Sequence, residues 1–238
     1  MKKLILIAIP FLILFLVCIE FILPSVAENS ITQQVKEYMK TDDVKFTIDS
    51  SPRFMIAFGK IEHANLEVHN GYLDDYQIDT QIVEFKNTEL DVGKFFFDGE
   101  MIFRRDDIDY SCIVTDENLK KIVESKLPEL KLNDFKLGDI KTTPEGTRIT
   151  GTYSIFGRDA DVNVAGKVLV ENGKLLVRMT DLNVNSPILR QVNLDNVVKE
   201  IVIIDNERMP FNLKLDRAEM HDGSISITAS KRHVEDQS

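Results

Sequence analysis

The sequence predicts an α+β domain in which a long, curved antiparallel sheet wraps one or two helices. Three observations support this. After residue 40, apolar residues recur at every second position over most of the chain, the period of a sheet with one buried face. Asn172-Gly173 and Asp222-Gly223 each separate two alternating runs, and both dipeptides tolerate the positive φ of tight hairpins. Helical periodicity is confined to a few stretches, and no Gly/Ser/Pro-rich linker or low-complexity tract divides the chain.

The amino terminus has a different pattern. Met1-Lys2-Lys3 is basic, and the 16 residues from Leu4 to Ile19 carry no charge. Glu20 interrupts the run, and Phe21-Ile22-Leu23 extends it. This length lies between the roughly 7–15 apolar residues of a cleaved signal and the roughly 20 of a membrane span. Pro24 is expected to break the helix, and Ser25-Val26-Ala27 offers small residues for cleavage after Ala27. Residues 1–27 therefore read as a signal peptide or an uncleaved membrane anchor. Lipid attachment at Cys18 is a third option, disfavoured because Val17 precedes it. The lysines keep the amino terminus in the cytoplasm. Residues 28–238 are then expected to form a single β-rich extracytoplasmic domain of the cell envelope, anchored or secreted.

Along that domain, Asn29 to Lys40 reads as a short amphipathic helix capped by Ser30, with Ile31, Val35 and Met39 on one face. Alternation then runs through Val44, Phe46 and Ile48, through Leu66 and Val68, through Ile78 and Ile82, and through Ile108, Tyr110, Cys112 and Val114. Asp116 to Leu127 is helical in period, with acids in its first turn and Pro128 ending it. Strands follow at Ile149–Ile155, Ala160–Val170 and Leu175–Met179, and again at Phe211–Leu215 and Ile225–Ala229. Pro187 to Asp205 reads as a further helix, capped by Ser186 and apolar over most of its circumference. It is expected to lie along the concave face of the sheet.

Composition narrows the chemistry. A net charge of −10 repels a phosphate backbone, which argues against a nucleic-acid partner. Cys18 and Cys112 form no disulfide framework, and Cys112 alternates with apolar residues like a small buried hydrophobe. Motifs for nucleophilic hydrolysis, zinc peptidases, phosphate loops and dithiol redox sites are missing. His63 and His69 share a strand face but lack further ligands, while His221 and His233 have no partner in sequence. Asp74-Asp75 and Asp106-Asp107-Ile108-Asp109 lack the spacing and glycine of a calcium loop. The sequence thus nominates no catalytic residue, no metal and no cofactor.

What remains is apolar. If the sheet and the 187–205 helix close tightly, their residues form an ordinary core. If they stay apart, the same residues line a groove for an acyl chain, where each buried methylene contributes about 0.8 kcal/mol. The lining would be Ile149, Tyr153, Ile155, Val162, Val164 and Val177 from strands, with Leu194, Val198, Ile201 and Val202 from the helix. Arg104-Arg105 is the only adjacent arginine pair and the candidate for a phosphate headgroup.

Several segments carry a family resemblance: Gly59-Lys60-Ile61 opening a strand, Val114-Thr115-Asp116-Glu117-Asn118-Leu119 starting a helix, and the hairpins around Gly146-Thr147-Arg148-Ile149-Thr150-Gly151 and Val170-Glu171-Asn172-Gly173-Lys174-Leu175. Met209-Pro210-Phe211-Asn212-Leu213-Lys214-Leu215 and Asp222-Gly223-Ser224-Ile225-Ser226-Ile227 close the series. Over roughly residues 30–230 the chain resembles the LmeA-like phospholipid-binding family of bacterial envelope proteins. The resemblance implies a tubular lipid-binding type of fold and a phospholipid or other acyl-chain lipid as partner; membrane attachment is the expectation from the amino-terminal segment itself. It transfers no catalytic residues. The function expected is non-enzymatic phospholipid binding or transfer. The alternatives are an envelope scaffold that binds protein through a sheet edge and an envelope hydrolase.

Overall fold

The computed structural model describes residues 24–73, 75–94, 97, 102–129, 134–155, 158–185 and 200–232. The chain is a β-rich α+β protein, mostly strand, with a curled sheet and few helices. It packs as two compact units whose boundaries run through strands, so no linker marks them in the sequence.

One unit comprises Met1–His69, Ile82–Tyr110 and Lys231–Ser238. Residues 24–39 are helical (α1). Ala27, Ile31 and Met39 recur at multiples of four and are buried, which makes one apolar face. The expected helix began at Asn29 with Ser30 as its cap; instead Pro24 and Ser30 are both helical. Proline's fixed φ suits the first turn of a helix, where its missing N–H bond is not needed. Glu28 fixes α1 to strand β1 (Val44–Asp49), its Oε1 accepting the Ile48 N–H at 3.0 Å. β1 pairs antiparallel with β2 (Lys60–Leu73), Val44 opposite Val68 and Ile48 opposite Ala64. A 3-10 turn at Arg53–Phe58 joins them and ends in Gly59 at φ 77°. β3 (Tyr76–Leu90) and β4 (Phe103–Thr115) follow.

An ion cluster ties β3 to β4 in this unit. Lys86 Nζ donates to Asp109 Oδ2 at 2.8 Å, and the Arg232 guanidinium pairs with the same carboxylate. Burial alone would raise the Asp109 pKa, but the hydrogen bonds and charges of Lys86 and Arg232 outweigh it and hold the carboxyl below its ordinary range. The hydrogen bond to Asp109 holds the Lys86 ammonium above its range. A depressed carboxyl contributes stability that is complete above about pH 4 and fades as the pH falls below it. A raised ammonium keeps its contribution until the pH passes about 10.5. Replacing Asp109 by Asn is therefore expected to flatten the acid limb of the stability profile below about pH 4, as chemical denaturation at stepped pH would show. The effect is modest, because the three side chains are 33% to 57% exposed.

The other unit comprises Asn70–Gln81 and Ser111–Ser230. Helix α2 (Asp116–Lys126) lies within it, burying Leu119, Ile122 and Val123 as its period predicts. Strands β5 (Phe135–Thr143), β6 (Gly146–Ile155), β7 (Arg158–Glu171), β8 (Lys174–Asn185) and β9 (Glu200–Asp205) form a sheet in that order. β10 (Lys214–His221) and β11 (Ser224–Lys231) form a hairpin, and the six-stranded order is β1-β2-β3-β4-β11-β10. Both expected turns are present: Asn172 and Gly173 have φ of 51° and 72°, and Gly223 has φ of 77°. Cys112 is buried, at 3% exposure.

Two expectations are corrected here. Residues 200–205, expected at the end of the 187–205 helix, are strand β9, antiparallel to β8. Ile201, Val202, Ile203 and Ile204 are four consecutive β-branched residues, stiff at χ1 and favoured on a pleated surface. An apolar run without a polar face also fits a strand buried on both sides, so periodicity alone could not separate the two. Residues 187–199 of that expected helix lie outside the described residues. The strand expected from Phe211 begins only at Lys214, because Phe211 and Asn212 both adopt φ of 57° in a 3-10 turn.

Among the described residues no helix is long and apolar enough to cross a membrane. Most of the expected signal or anchor, residues 1–23, lies outside them.

Candidate functional site

Cross-strand register assembles one apolar face on the five-stranded sheet. Phe135, Tyr153 and Ala160 stand opposite one another across β5, β6 and β7. Gly151, Val162 and Val184 form the next row, and Ile149, Val164 and Leu182 the row after. Beyond a bulge the rows continue with Gly166 and Met179, then Val168 and Val177. Side chains in such rows stand about 4.5–5.5 Å apart and cover a single surface.

The two ends of this face differ. At one end Thr142 and Thr147 are 1% and 2% exposed, with hydroxyls 3.4 Å apart, and Thr147 Oγ1 donates to Met220 Sδ of β10 at 3.8 Å. β10 lies against β5, β7 and β8, and α2 touches both edge strands, β5 and β9. A helix of 11 residues is about 16 Å long, whereas the edges of a flat five-stranded sheet lie about 19 Å apart. The bulges at Leu137/Ile140, Ala165/Gly166 and Leu175/Leu176 supply bending of the kind such wrapping needs. Ile149, Val168, Leu175 and Val177 are buried there as ordinary core.

This end is latched by Asp116, the first residue of α2. Its carboxylate oxygens accept the Thr142 N–H at 3.0 and 3.1 Å, and its own N–H donates to the Gly223 carbonyl at 3.0 Å. The Gly223 N–H in turn donates to the Thr142 carbonyl at 3.0 Å. Helix, sheet edge and β10–β11 turn thus share one hydrogen-bond triangle. Asp116→Ala leaves the Thr142 N–H without its charged acceptor and is expected to cost about 2 kcal/mol. Thermal unfolding would report this as a midpoint lower by about 4–8 °C.

At the other end Ala160, Val162 and Val184 are buried, while Phe135, Tyr153, Val164 and Leu182 pack around them and remain half-buried. Gly151 lets the Phe135 ring lie across β6: a Cβ there would sit 2.4 Å from Phe135 Cζ and 2.6 Å from the Lys136 carbonyl oxygen. The cluster is hydrocarbon apart from the Tyr153 phenol, so it suits burial of alkyl chains and offers no acid–base pair. On these strands the opposite face is largely polar, apart from Leu169, Leu176 and Val202 toward β9. Two open depressions of about 400 and 420 Å³ lie there, with linings that include Lys136, Thr152, Asp161 and Asn163 in one and Lys141, Arg148 and Thr180 in the other. Among the described residues no group of three or more His, Cys, Asp or Glu side chains could hold a metal.

Of the expected lining residues, Tyr153, Val162 and Val164 meet in the half-open cluster. Ile149 and Val177 share the face at its packed end, and Ile201 extends it onto β9 opposite Val177. Val202 pairs with Leu176, which points it to the other face, and it is 41% exposed. Ile155 lies in β6, and Arg104 and Arg105 lie in β4, but these three side chains are outside the described set. Leu194 and Val198 lie outside the described residues altogether.

Sequence reading missed Phe135, Leu182 and Val184. β5 is irregular at Gly138 and Asp139, which masks the alternation of Phe135 and Leu137 with Ile140. In β8 the unpaired Thr180 shifts the parity, so Leu182 shares a face with Met179 rather than with Thr180. The surviving signal was the apolar alternation Leu182–Val184 on the far side of that break.

No curated protein and no solved structure matches the chain. The sequence model of one family, described as LmeA-like phospholipid-binding, matches residues 20–230.

Proposed function

The chain belongs to the LmeA-like phospholipid-binding family, and on that premise we propose that it is a non-enzymatic lipid-binding or lipid-transfer protein of the bacterial cell envelope, holding acyl chains against the β5–β8 cluster. The observation that supports this is the half-burial of Phe135, Tyr153, Val164 and Leu182 around a buried centre. Apolar side chains that are covered at one end of a face and accessible at the other offer hydrocarbon contact without dismantling a core. The amino-terminal segment keeps the protein at the membrane that supplies its lipid.

The test is to purify the full chain in a mild detergent, extract it under denaturing conditions and analyse the extract by mass spectrometry. About one phospholipid per chain is expected. A clean extract, together with no uptake of a fluorescent acyl probe, overturns the reading and favours a scaffold. Fatty acid released from added phospholipid would overturn its non-enzymatic part.

A further inference from the structure

We propose that the end of the first unit bearing Phe54, Phe58, Phe97 and Ile102 is a second lipid contact, which docks on the surface of a phospholipid bilayer rather than on a single lipid. Phe58 and Phe97 are 70% and 90% exposed, and Ile102 is 42% exposed. Phe54 stands edge-on to Phe58, with ring centroids 6.5 Å apart. Backbone pairing brings their segments together. The Leu90 N–H donates to the Gly59 carbonyl at 2.7 Å, and the Asp91 N–H donates to the Ile102 carbonyl at 2.8 Å. The 53–59 turn, the end of β3 and both ends of the β3–β4 connection thus adjoin, and Phe97 lies in that connection.

Aromatic side chains exposed together on a folded surface mark a site of contact. The charges around them select its kind. The segment Arg53-Phe54-Met55-Ile56-Ala57-Phe58-Gly59-Lys60 is apolar between two cations and contains no acid, although the chain as a whole carries −10. Arg53 also pairs with Asp49 at 3.6 Å, which keeps it at the rim of the turn. The connection that carries Phe97 is mixed in charge, with Asp91, Asp98 and Glu100 beside Lys94, so the cationic rim is that of the 53–60 turn. An aromatic turn between two cations matches a bilayer interface, where rings enter the acyl boundary and cations meet phosphates. α1 belongs to the same unit, and in sequence it directly follows the apolar run Leu4–Leu23, so this is the unit an amino-terminal anchor would hold at a membrane. The inference rests on the phospholipid reading only in its choice of occupant.

The chain contains no tryptophan, so a single one reports its own surroundings. Full-length Phe58→Trp and Phe97→Trp chains would be reconstituted into phosphatidylcholine–phosphatidylglycerol vesicles containing brominated acyl chains. Ile113→Trp, at a 43% exposed position in the other unit, serves as the comparison. Docking predicts roughly twofold bromine quenching and blue-shifted emission at positions 58 and 97, with little of either at 113. Equal quenching at all three positions overturns the inference. A blue shift without quenching also overturns it, since the rings would then be covered by protein. The two lipid readings fail separately: phospholipid in the extract with unquenched rings removes the docking surface alone, and quenched rings with a clean extract remove the groove alone.

Discussion

Gly59→Ala is expected to destabilise the protein by about 3 kcal/mol, the largest effect of any single methyl added to a turn glycine here. Two causes add. Gly59 has φ of 77°, a region that costs a side-chain-bearing residue about 1–2 kcal/mol. The new Cβ would also lie 2.0 Å from the Leu90 carbonyl oxygen and 2.8 Å from Val92 Cγ2. Backbone cannot swing away as a flexible side chain can, so the end of β3 must move, and the Leu90 N–H bond to Gly59 goes with it, costing about 1 kcal/mol more. A thermal midpoint lower by about 6–12 °C is expected by circular dichroism. Gly223→Ala separates the causes. Gly223 has the same φ of 77° but nothing within 4 Å of its would-be Cβ, so only the conformational cost of about 1–2 kcal/mol applies. Equal losses in the two variants would refute the role given to the Leu90 carbonyl.

Leu182→Asp is expected to abolish lipid loading while the chain still folds. Leu182 is half-buried against the Val162 cluster, so an aspartate there can reach water in the empty protein. With an acyl chain in place the carboxylate would be desolvated without a partner, at a cost of several kcal/mol. Three kcal/mol corresponds to about a 100-fold loss of affinity. Asn183→Asp, one residue along and exposed, places the same charge on the other face and should leave loading unchanged. The measurement is phospholipid recovered per chain from matched preparations, with circular dichroism reporting the fold. Equal loading in the two variants would mean that lipid does not lie on this face.

Much of the fold is legible locally. The strands around Ile108–Val114 and Ala160–Val170 alternate cleanly, and the structure keeps both in those strands. The α2 stripe and the Asn172-Gly173 turn are also readable, because each depends on residues within a few positions of one another. The candidate site was legible in part for the same reason. Tyr153, Val162 and Val164 lie in regular strand segments, so counting by twos placed them on one face. The count failed wherever an extra residue entered a ladder, as at Thr180, and where four β-branched residues imitated a buried helix, as at Ile201–Ile204.

The sequence by itself determined the strand period, the turn positions, the apolar character of the faces and the family to which the chain belongs. Each is a property of local propensity and short-range pattern, which adds up along the chain without reference to its folding partners. Tertiary structure alone decided that β10 and α2 close one end of the apolar face while Tyr153, Val164 and Leu182 stay half-buried at the other. It likewise decided that Phe58 and Phe97 face outward. Which methyl groups lose contact with water depends on pairings between residues distant in the chain, and on bulges that reset parity between them. Neither leaves a periodic trace in the residues themselves.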